Sequence, residues 1–296
     1  MKVKDKTVLE VENAIIMAAG LSSRFAPISY EYPKSLVKVK GQILIERQIL
    51  QLKEVGINDI TVVVGYKKEL FQYLVDKFQV KLVENSDYNT RNNHSTLYAV
   101  REKLGNTFIC SADNYFTQNV FEPYVKRAYY SSVYEEGATG EWCIKTDGNG
   151  LITDLKIGGG NSWVMLGHVF FSSEFSKKFV EILEDVYDNP ETANLLWESI
   201  YLNHIKELNL YIRQYSKETI FEFDTLDELR TFDQQYITST GSMILKDICE
   251  QSNCKERDIT RITPIKKDGE TVGFFCFIRE EKYTYIYKTK ELATYK

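Results

Sequence analysis

No apolar run in this chain is longer than a strand, far short of the ~20 residues a helix needs to cross a bilayer. Membrane insertion is therefore not expected. A basic excess is missing too: 37 Lys and Arg against 42 Asp and Glu leave a net charge of −5. That balance offers little to a nucleic-acid backbone or an anionic membrane surface. Cysteine is sparse and odd in number: Cys110, Cys143, Cys249, Cys254 and Cys276. Cys249 and Cys254 are separated by four residues where a zinc knuckle uses two, so reduced thiols in a cytoplasmic protein are the expectation. The three His (His94, His168, His204) form no ligand pattern, which argues against a zinc enzyme or a His-based hydrolase. Met1–Glu12 mixes Lys, Asp and Glu and lacks the apolar core of a signal peptide.

What is present is an ordinary folded composition, 43% hydrophobic and 27% charged. A length of 296 residues fits one large or two unequal domains. Asn13–Ala18 reads as a buried parallel strand, followed by a Gly/Ser loop. Ile45, Ile49 and Leu52 recur at helical spacing after Gly41. Ile60 to Val64 is a β-branched strand, Phe71 to Phe78 an amphipathic helix, and Val80 to Val83 and Thr107 to Ala112 are further strands. Strand alternating with helix at this rhythm implies βαβ units around a mostly parallel sheet. The middle reads as four short strands: 129–134, 141–146, 151–156 and 163–171. Helices follow over 175–186 and within 195–205, then a strand over 219–223. Thr225 with Glu228 has the form of a capping box opening a helix over 226–235. Thr238–Ser242 is polar punctuation. The expected division is thus residues 13–237 and a smaller segment, 242–296.

Four places carry chemistry. The first is Ala18-Ala19-Gly20-Leu21-Ser22-Ser23-Arg24, with Pro33-Lys34 after it. Small residues at a strand's C-terminal end can wrap phosphates with backbone N–H groups, and Arg24 and Lys34 add fork and point charge. It is neither a Walker loop nor a G-x-G-x-x-G turn; the bland alternative is a tight turn with two solvated bases. The second is Asp113, directly after a buried strand, suited to a Mg²⁺ ligand or to starting a turn. The third is Phe221-Glu222-Phe223-Asp224, where period-two alternation would put both carboxylates on one face. The fourth is aromatic: Glu141-Trp142, with Trp163 and Trp197. A Trp beside a carboxylate can hold a quaternary ammonium group, and any single Trp can equally be core. Asn92, Asn93 and Ser95 precede a helix and can cap it or read a base.

In this order the motifs resemble those of bacterial CTP:phosphocholine cytidylyltransferases over about Asn13 to Gln235. Gly56-Ile57-Asn58-Asp59-Ile60, Val64-Gly65-Tyr66, Ala112-Asp113-Asn114-Tyr115 and Ser132-Val133-Tyr134 add to it. The resemblance implies a three-layer α/β/α, Rossmann-like (GT-A-like) nucleotidyltransferase domain with a β insertion for the second substrate. It implies CTP and phosphocholine as substrates and Mg²⁺ as cofactor. Ala18, Ala19, Gly20 and Ser22 would line the nucleotide, Arg24 and Lys34 hold phosphates, and Asp113 and Asp224 hold the metal. Ser95 falls where relatives touch the nucleoside. Glu141 and Trp142, closed by Trp197 or Phe221, would form the choline pocket. Ser111 stands where an acidic residue is frequent, and Phe221 where a Tyr would help enclose choline. Phosphoethanolamine or 2-aminoethylphosphonate as acceptor, a sugar-phosphate nucleotidylyltransferase and a non-catalytic nucleotide-binding module stay open as alternatives.

Residues 242–296 resemble the opening segment of bacterial choline kinases: a helix, Asp258-Ile259-Thr260, and a hairpin ending in Tyr283-Thr284-Tyr285-Ile286-Tyr287. The segment contains no catalytic-loop Asp, so no kinase activity is expected of it. It is expected to dock on the transferase domain or on another subunit, away from the active site, giving a homo-oligomer in the second case.

Overall fold

The computed structural model describes residues 8–267 and 269–295. Met1–Thr7, most of the stretch weighed above for a leader, lies outside them. The main strands in chain order are β1 Asn13–Ala18, β2 Ile60–Val64, β3 Lys81–Glu84, β4 Thr107–Ser111, β5 Asn114–Phe116, β6 Tyr129–Thr146, β7 Ile152–Phe171, β8 Tyr211–Gln214, β9 Ile220–Glu222, β10 Ile259–Lys267, β11 Glu270–Ile278, β12 Glu281–Ile286 and β13 Glu291–Thr294. The helices are α1 Ile28–Glu31, α2 Leu44–Glu54, α3 Tyr73–Phe78, α4 His94–Ala99, α5 Ser173–Tyr187, α6 Trp197–Asn203, α7 Leu226–Phe232, α8 Gln235–Thr238 and α9 Met243–Ser252. By packing, the chain divides into two compact units: Met1–Gly20 with Leu44–Glu222, and Leu21–Ile43 with Phe223–Lys296. These units cut across the boundary near 237–242 read from the sequence. The short stretch Leu21–Ile43 leaves its sequence neighbours to pack with the C-terminal part.

The first unit is a seven-stranded sheet in the order β8-β6-β7-β4-β1-β2-β3. β1 pairs in parallel with both β2 and β4, β2 with β3, and β6 with β8, so the sheet is mostly parallel. Ile15, Val63, Ile109 and Phe171 join one core with Leu97 of α4, Phe175 and Phe179 of α5, and Trp197 of α6. Ile16, Val62 and Cys110 alternate with these and are equally buried, as are Ile45, Ile49 and Leu52 of α2. Both faces of the sheet are thus covered, the arrangement that parallel strands require. Each fully buried aliphatic side chain contributes about 2 kcal/mol.

The four short strands expected in the middle are two long ones, 18 and 20 residues, paired as an antiparallel hairpin with several bulges. Glycines and charges broke the sequence pattern there, while the strands themselves continue. At Gly160 a Cβ would lie 2.4 Å from the Gly137 carbonyl oxygen, so only glycine permits this close approach. β8 was not anticipated; it is a four-residue edge strand.

The second unit holds a four-stranded antiparallel sheet in the order β10-β11-β12-β13. The sequence predicts a helix near 244–251 and three strands here, near 261–265, 272–278 and 283–288, and β13 adds a fourth strand. α9 lies on this sheet: Leu245, Ile248, Phe274 and Tyr285 are buried, and the Tyr285 hydroxyl donates to Asp247 at 2.7 Å. The Thr225–Glu228 capping box is present and starts α7. The helix expected over 226–235 breaks at Asp233, whose carboxylate accepts from the backbone N–H of Lys40 at 2.7 Å.

Candidate active site

The loop after β1 begins at the C-terminal end of the central parallel strands, where open α/β sheets bind ligands. Ala18 and Ala19 are buried, and the Ala19 carbonyl accepts from the Tyr66 N–H at 3.1 Å. Gly20 is exposed, with open space where a Cβ would stand. Gly65, beside this loop's partner Tyr66, has its own reason: a Cβ there would meet the Tyr88 ring at 2.7 Å. In the second unit Ser22 takes the left-handed conformation and its carbonyl accepts from the Phe25 N–H, forming the turn that carries Arg24.

Three residues chosen from the sequence come together here. The Lys34 ammonium is 3.6 Å from one Asp224 oxygen, and an Arg24 guanidinium nitrogen is 2.8 Å from the other. Lys34 is buried (4% exposed) and lies 5.7 Å from the centroid of the buried Phe25 ring, whereas the Arg24 side chain is 71% exposed. An exposed pair of this kind is worth about 0–1 kcal/mol, so Arg24 exchanges its partner at little cost. Lys34 is fixed by its surroundings. The expected alternation of Glu222 with Asp224 does not hold, because β9 ends at Glu222 and Asp224 stands in the bend before the capping box.

In the first unit Asp113 is half-buried in the turn between β4 and β5. The buried side-chain amide of Gln48 donates to the Ser111 and Asn114 carbonyls, both at 2.9 Å, and so clamps the turn on each side of Asp113. The sequence reading missed Gln48; its only signal was a polar residue on the apolar face of α2. β9 pairs with β5 so that Glu222 faces Asn114 and Phe221 faces Tyr115. The Asn114 amide donates to Glu222 at 3.2 Å.

Mg²⁺ takes hard oxygen donors, commonly one or two carboxylates with substrate phosphates and water completing the shell. Among the described residues no group of three or more His, Cys, Asp or Glu is arranged to hold a metal. Asp113 and Asp224 each offer the hard carboxylate oxygens that Mg²⁺ takes, so the donor chemistry of each residue fits.

Ser95 stands inside the first turn of α4 and is buried. Its hydroxyl donates to the Asn92 carbonyl at 2.8 Å and accepts from the Asn85 amide at 2.8 Å. Both bonds are internal, which suits holding the turn better than reading a base. It does not precede the helix, as the sequence suggested. Asn93 instead caps another helix: its side-chain oxygen accepts from the Trp197 N–H at 2.7 Å.

The aromatic prediction divides. Glu141 is exposed and Trp142 half-buried on β6. Trp197 is fully buried, stacked on Tyr130 at 5.7 Å and edge-on to Phe171 and Phe179. It is core and backs Tyr130, which makes it unsuited to closing a pocket. The residue after it, Glu198, was not anticipated. Its carboxylate is buried, with the Tyr130 hydroxyl donating to one oxygen at 3.2 Å and the Asn93 amide to the other at 3.3 Å. Burial pushes it up to about 7, against the opposing pull of those hydrogen bonds. Among the described residues no Lys or Arg pairs with it. Burial raises the Tyr130 phenol as well, followed by the charges of Glu198, Glu222 and Glu141. Three carboxylates therefore act on one buried hydroxyl.

Residues 14–148 match the MobA-like NTP transferase domain family. The choline-phosphate cytidylyltransferase of Streptococcus pneumoniae is 37% identical over 221 residues, covering 75% of this chain and 96% of that protein. The 2-aminoethylphosphonate cytidylyltransferase of Lancefieldella rimae is 39% identical over 232 residues, covering 77% and 94%. The solved structure of the S. pneumoniae CTP:phosphocholine cytidylyltransferase superimposes with a TM-score of 0.73 at 36% identity, over 77% of this chain and 99% of that one. At this identity and coverage, and with this fold in common, the chain belongs to the bacterial choline-phosphate cytidylyltransferase family of nucleotidyltransferases.

Proposed function

We propose that the protein joins CTP to phosphocholine, giving CDP-choline and pyrophosphate. The observation that carries the choice of a cationic acceptor is Glu198, a buried carboxylate with no basic partner beside a hydroxyl under the influence of Glu141 and Glu222. A buried anion of this kind is costly until a cation answers it. A trimethylammonium group supplies that charge, and the faces of Tyr130 and Trp142 suit its methyl groups.

In the reaction a phosphocholine oxygen attacks the α-phosphorus of CTP in line. The new P–O bond forms as the bond to the bridging oxygen breaks, and its electron pair leaves with pyrophosphate. The attacking group is already an anion, so no protein nucleophile is needed. Catalysis is positioning plus charge neutralisation. Ala18, Ala19, Gly20 and Ser22 give backbone to the nucleotide. Arg24 leaves Asp224 for the triphosphate, while Lys34 offers a fixed positive charge. Asp113 and Asp224 would hold Mg²⁺, which when bound offsets charge gathering on the leaving group. Phe221, half-buried on β9, is the remaining candidate for the pocket's edge. Residues 13–237 are the transferase domain in this reading, and the cytoplasm is its compartment. Among the described residues no helix is long and apolar enough to span a membrane.

A second reading is 2-aminoethylphosphonate as acceptor, favoured by the 39% identical relative. Glu198 serves a primary ammonium as well as a quaternary one. Pyrophosphate release from CTP, measured with phosphocholine, phosphoethanolamine and 2-aminoethylphosphonate, separates the readings. Release with phosphocholine at the highest kcat/KM is expected. A higher value with the phosphonate establishes the second reading, and no release with any amine overturns both.

A further inference from the structure

The C-terminal segment was expected to dock away from the active site. Its contacts lie instead on the stretch that carries Arg24 and Lys34. The Glu31 carboxylate, at the end of α1, caps α9: it accepts from the Met243 N–H at 3.0 Å, from the Ile244 N–H at 3.1 Å and from the Ser242 hydroxyl. The neighbouring Tyr30 ring stacks on Tyr287 at 3.7 Å with the planes 13° apart. The Ser23–Phe25 turn, which holds Arg24, packs against β10. Arg24 thus lies within a run of tail contacts from Ser23 to Glu31, and Lys34 follows three residues after its end.

The same tail grips the other side of the charged group. The buried Arg230 of α7 donates to the carbonyls of Ile259 and Glu256, the latter at 2.7 Å. The Asp227 carboxylate accepts from the Arg261 N–H at 2.8 Å. α7 starts directly after Asp224, whose own N–H donates to Glu228 of the capping box at 2.7 Å. Both chain segments that supply the Arg24–Lys34–Asp224 cluster are therefore tied to residues 240–295.

We propose that this C-terminal segment is a clamp that positions Arg24, Lys34 and Asp224 for the triphosphate, with Glu31 as its positioning residue. The proposal deepens the cytidylyltransferase reading and rests on it for the identity of the triphosphate. Linkage makes the effect reciprocal: whatever the clamp adds to CTP binding, CTP adds to the clamp.

The test uses the full chain with Glu31→Ala, Glu31→Asp and Ser242→Ala. Without ligand, hydrogen exchange of amides 23–36 should speed up about tenfold or more in Glu31→Ala, with β1, β2 and β4 unchanged. The KM for CTP should rise about tenfold while that for phosphocholine stays within about twofold. Glu31→Asp should restore most of the loss, and Ser242→Ala should shift both readings the same way by less. If Glu31→Ala also loosens the central sheet, Ser242→Ala alone decides. Unchanged exchange over 23–36 in the deciding variant, or equal rises in both KM values, overturns the clamp. Failure of the wild-type chain to release pyrophosphate from CTP overturns the functional reading, while the ligand-free exchange still judges the clamp.

Discussion

Two carboxylates in this protein meet opposite conditions. Asp224 is a quarter exposed and has Lys34 and Arg24 on its two oxygens. Glu198 is buried and has only neutral donors, Tyr130 and Asn93. The first has its charge answered by groups that a polyphosphate can take over. The second, when ionised, carries a charge that no Lys or Arg among the described residues answers. In the proposed reaction the two places would take opposite substrate charges: an anion would displace part of the first, and a cation would complete the second.

The largest expected effect comes from removing the fixed charge of the first. Lys34→Met keeps the volume of a buried side chain and loses its ammonium, so kcat/KM for CTP should fall about a thousandfold or more. Asp224→Asn should act on turnover to a similar extent. It should also cost about 1–3 kcal/mol of stability, because it removes the carboxylate 3.6 Å from a buried ammonium. Pyrophosphate release and thermal unfolding measure both. If Lys34→Met keeps CTP turnover within tenfold, the contrast between the two carboxylates no longer describes the site.

The second effect is smaller and depends on pH. Glu198 sits near 7 in the folded protein against its ordinary 4.5. The folded state therefore holds the proton more tightly than the unfolded state between these values. Free-protein stability should fall as pH rises from about 4.5 through 7 and stay reduced above. The same ionisation creates the site for an ammonium group, so phosphocholine KM should fall as pH rises through about 7. Glu198→Gln should raise that KM about ten- to a hundredfold at pH 8 and leave the CTP KM alone. It should also make the free protein more stable than wild type at pH 8. The phosphate of phosphocholine ionises near pH 6 as well, and the Glu198→Gln profile separates the two titrations. An unaltered profile would assign the pH dependence to the substrate.

Gln48 sharpens the comparison by acting through backbone alone. Gln48→Ala removes the donors to the Ser111 and Asn114 carbonyls and frees the turn that carries Asp113. A loss of about tenfold in kcat with about 1–3 kcal/mol of stability is expected. Gln48→Glu, which keeps volume but offers acceptors in place of the amide donors, should do no better.

How far the sequence carried depends on how local each feature is. Asn13–Ala18 and Ile60–Val64 have the bounds read from their apolar runs, because a buried parallel strand is written in consecutive residues. Arg24 and Lys34 were chosen from loop chemistry, and the structure adds the contact both make with Asp224. Glu198 was not, since an acidic residue in a short helix ordinarily faces water. Its burial comes from Tyr130 and Asn93, which lie 68 and 105 residues away. Trp197 failed in the other direction: its aromatic character is visible in sequence, and its place in the core is not. The Glu31 cap on α9 spans more than two hundred residues, beyond the reach of any motif.

Trp142 gives the smallest predicted effect. It is half-buried against the core, with Glu141 exposed beside it, so its ring can add a face to a cation without being the main source of charge. A cation–π contact of this exposure is worth about 0.5–2 kcal/mol. Trp142→Leu keeps apolar volume and removes the ring's negative face. The KM for phosphocholine should therefore rise about two- to thirtyfold, with the CTP KM and thermal stability nearly unchanged. A primary ammonium group keeps N–H donors for Glu198 and Glu141 and depends less on ring faces. The variant should accordingly lose more with phosphocholine than with 2-aminoethylphosphonate. Equal losses with both acceptors would remove Trp142 from the pocket and leave the recognition of the cation to Glu198 and Tyr130.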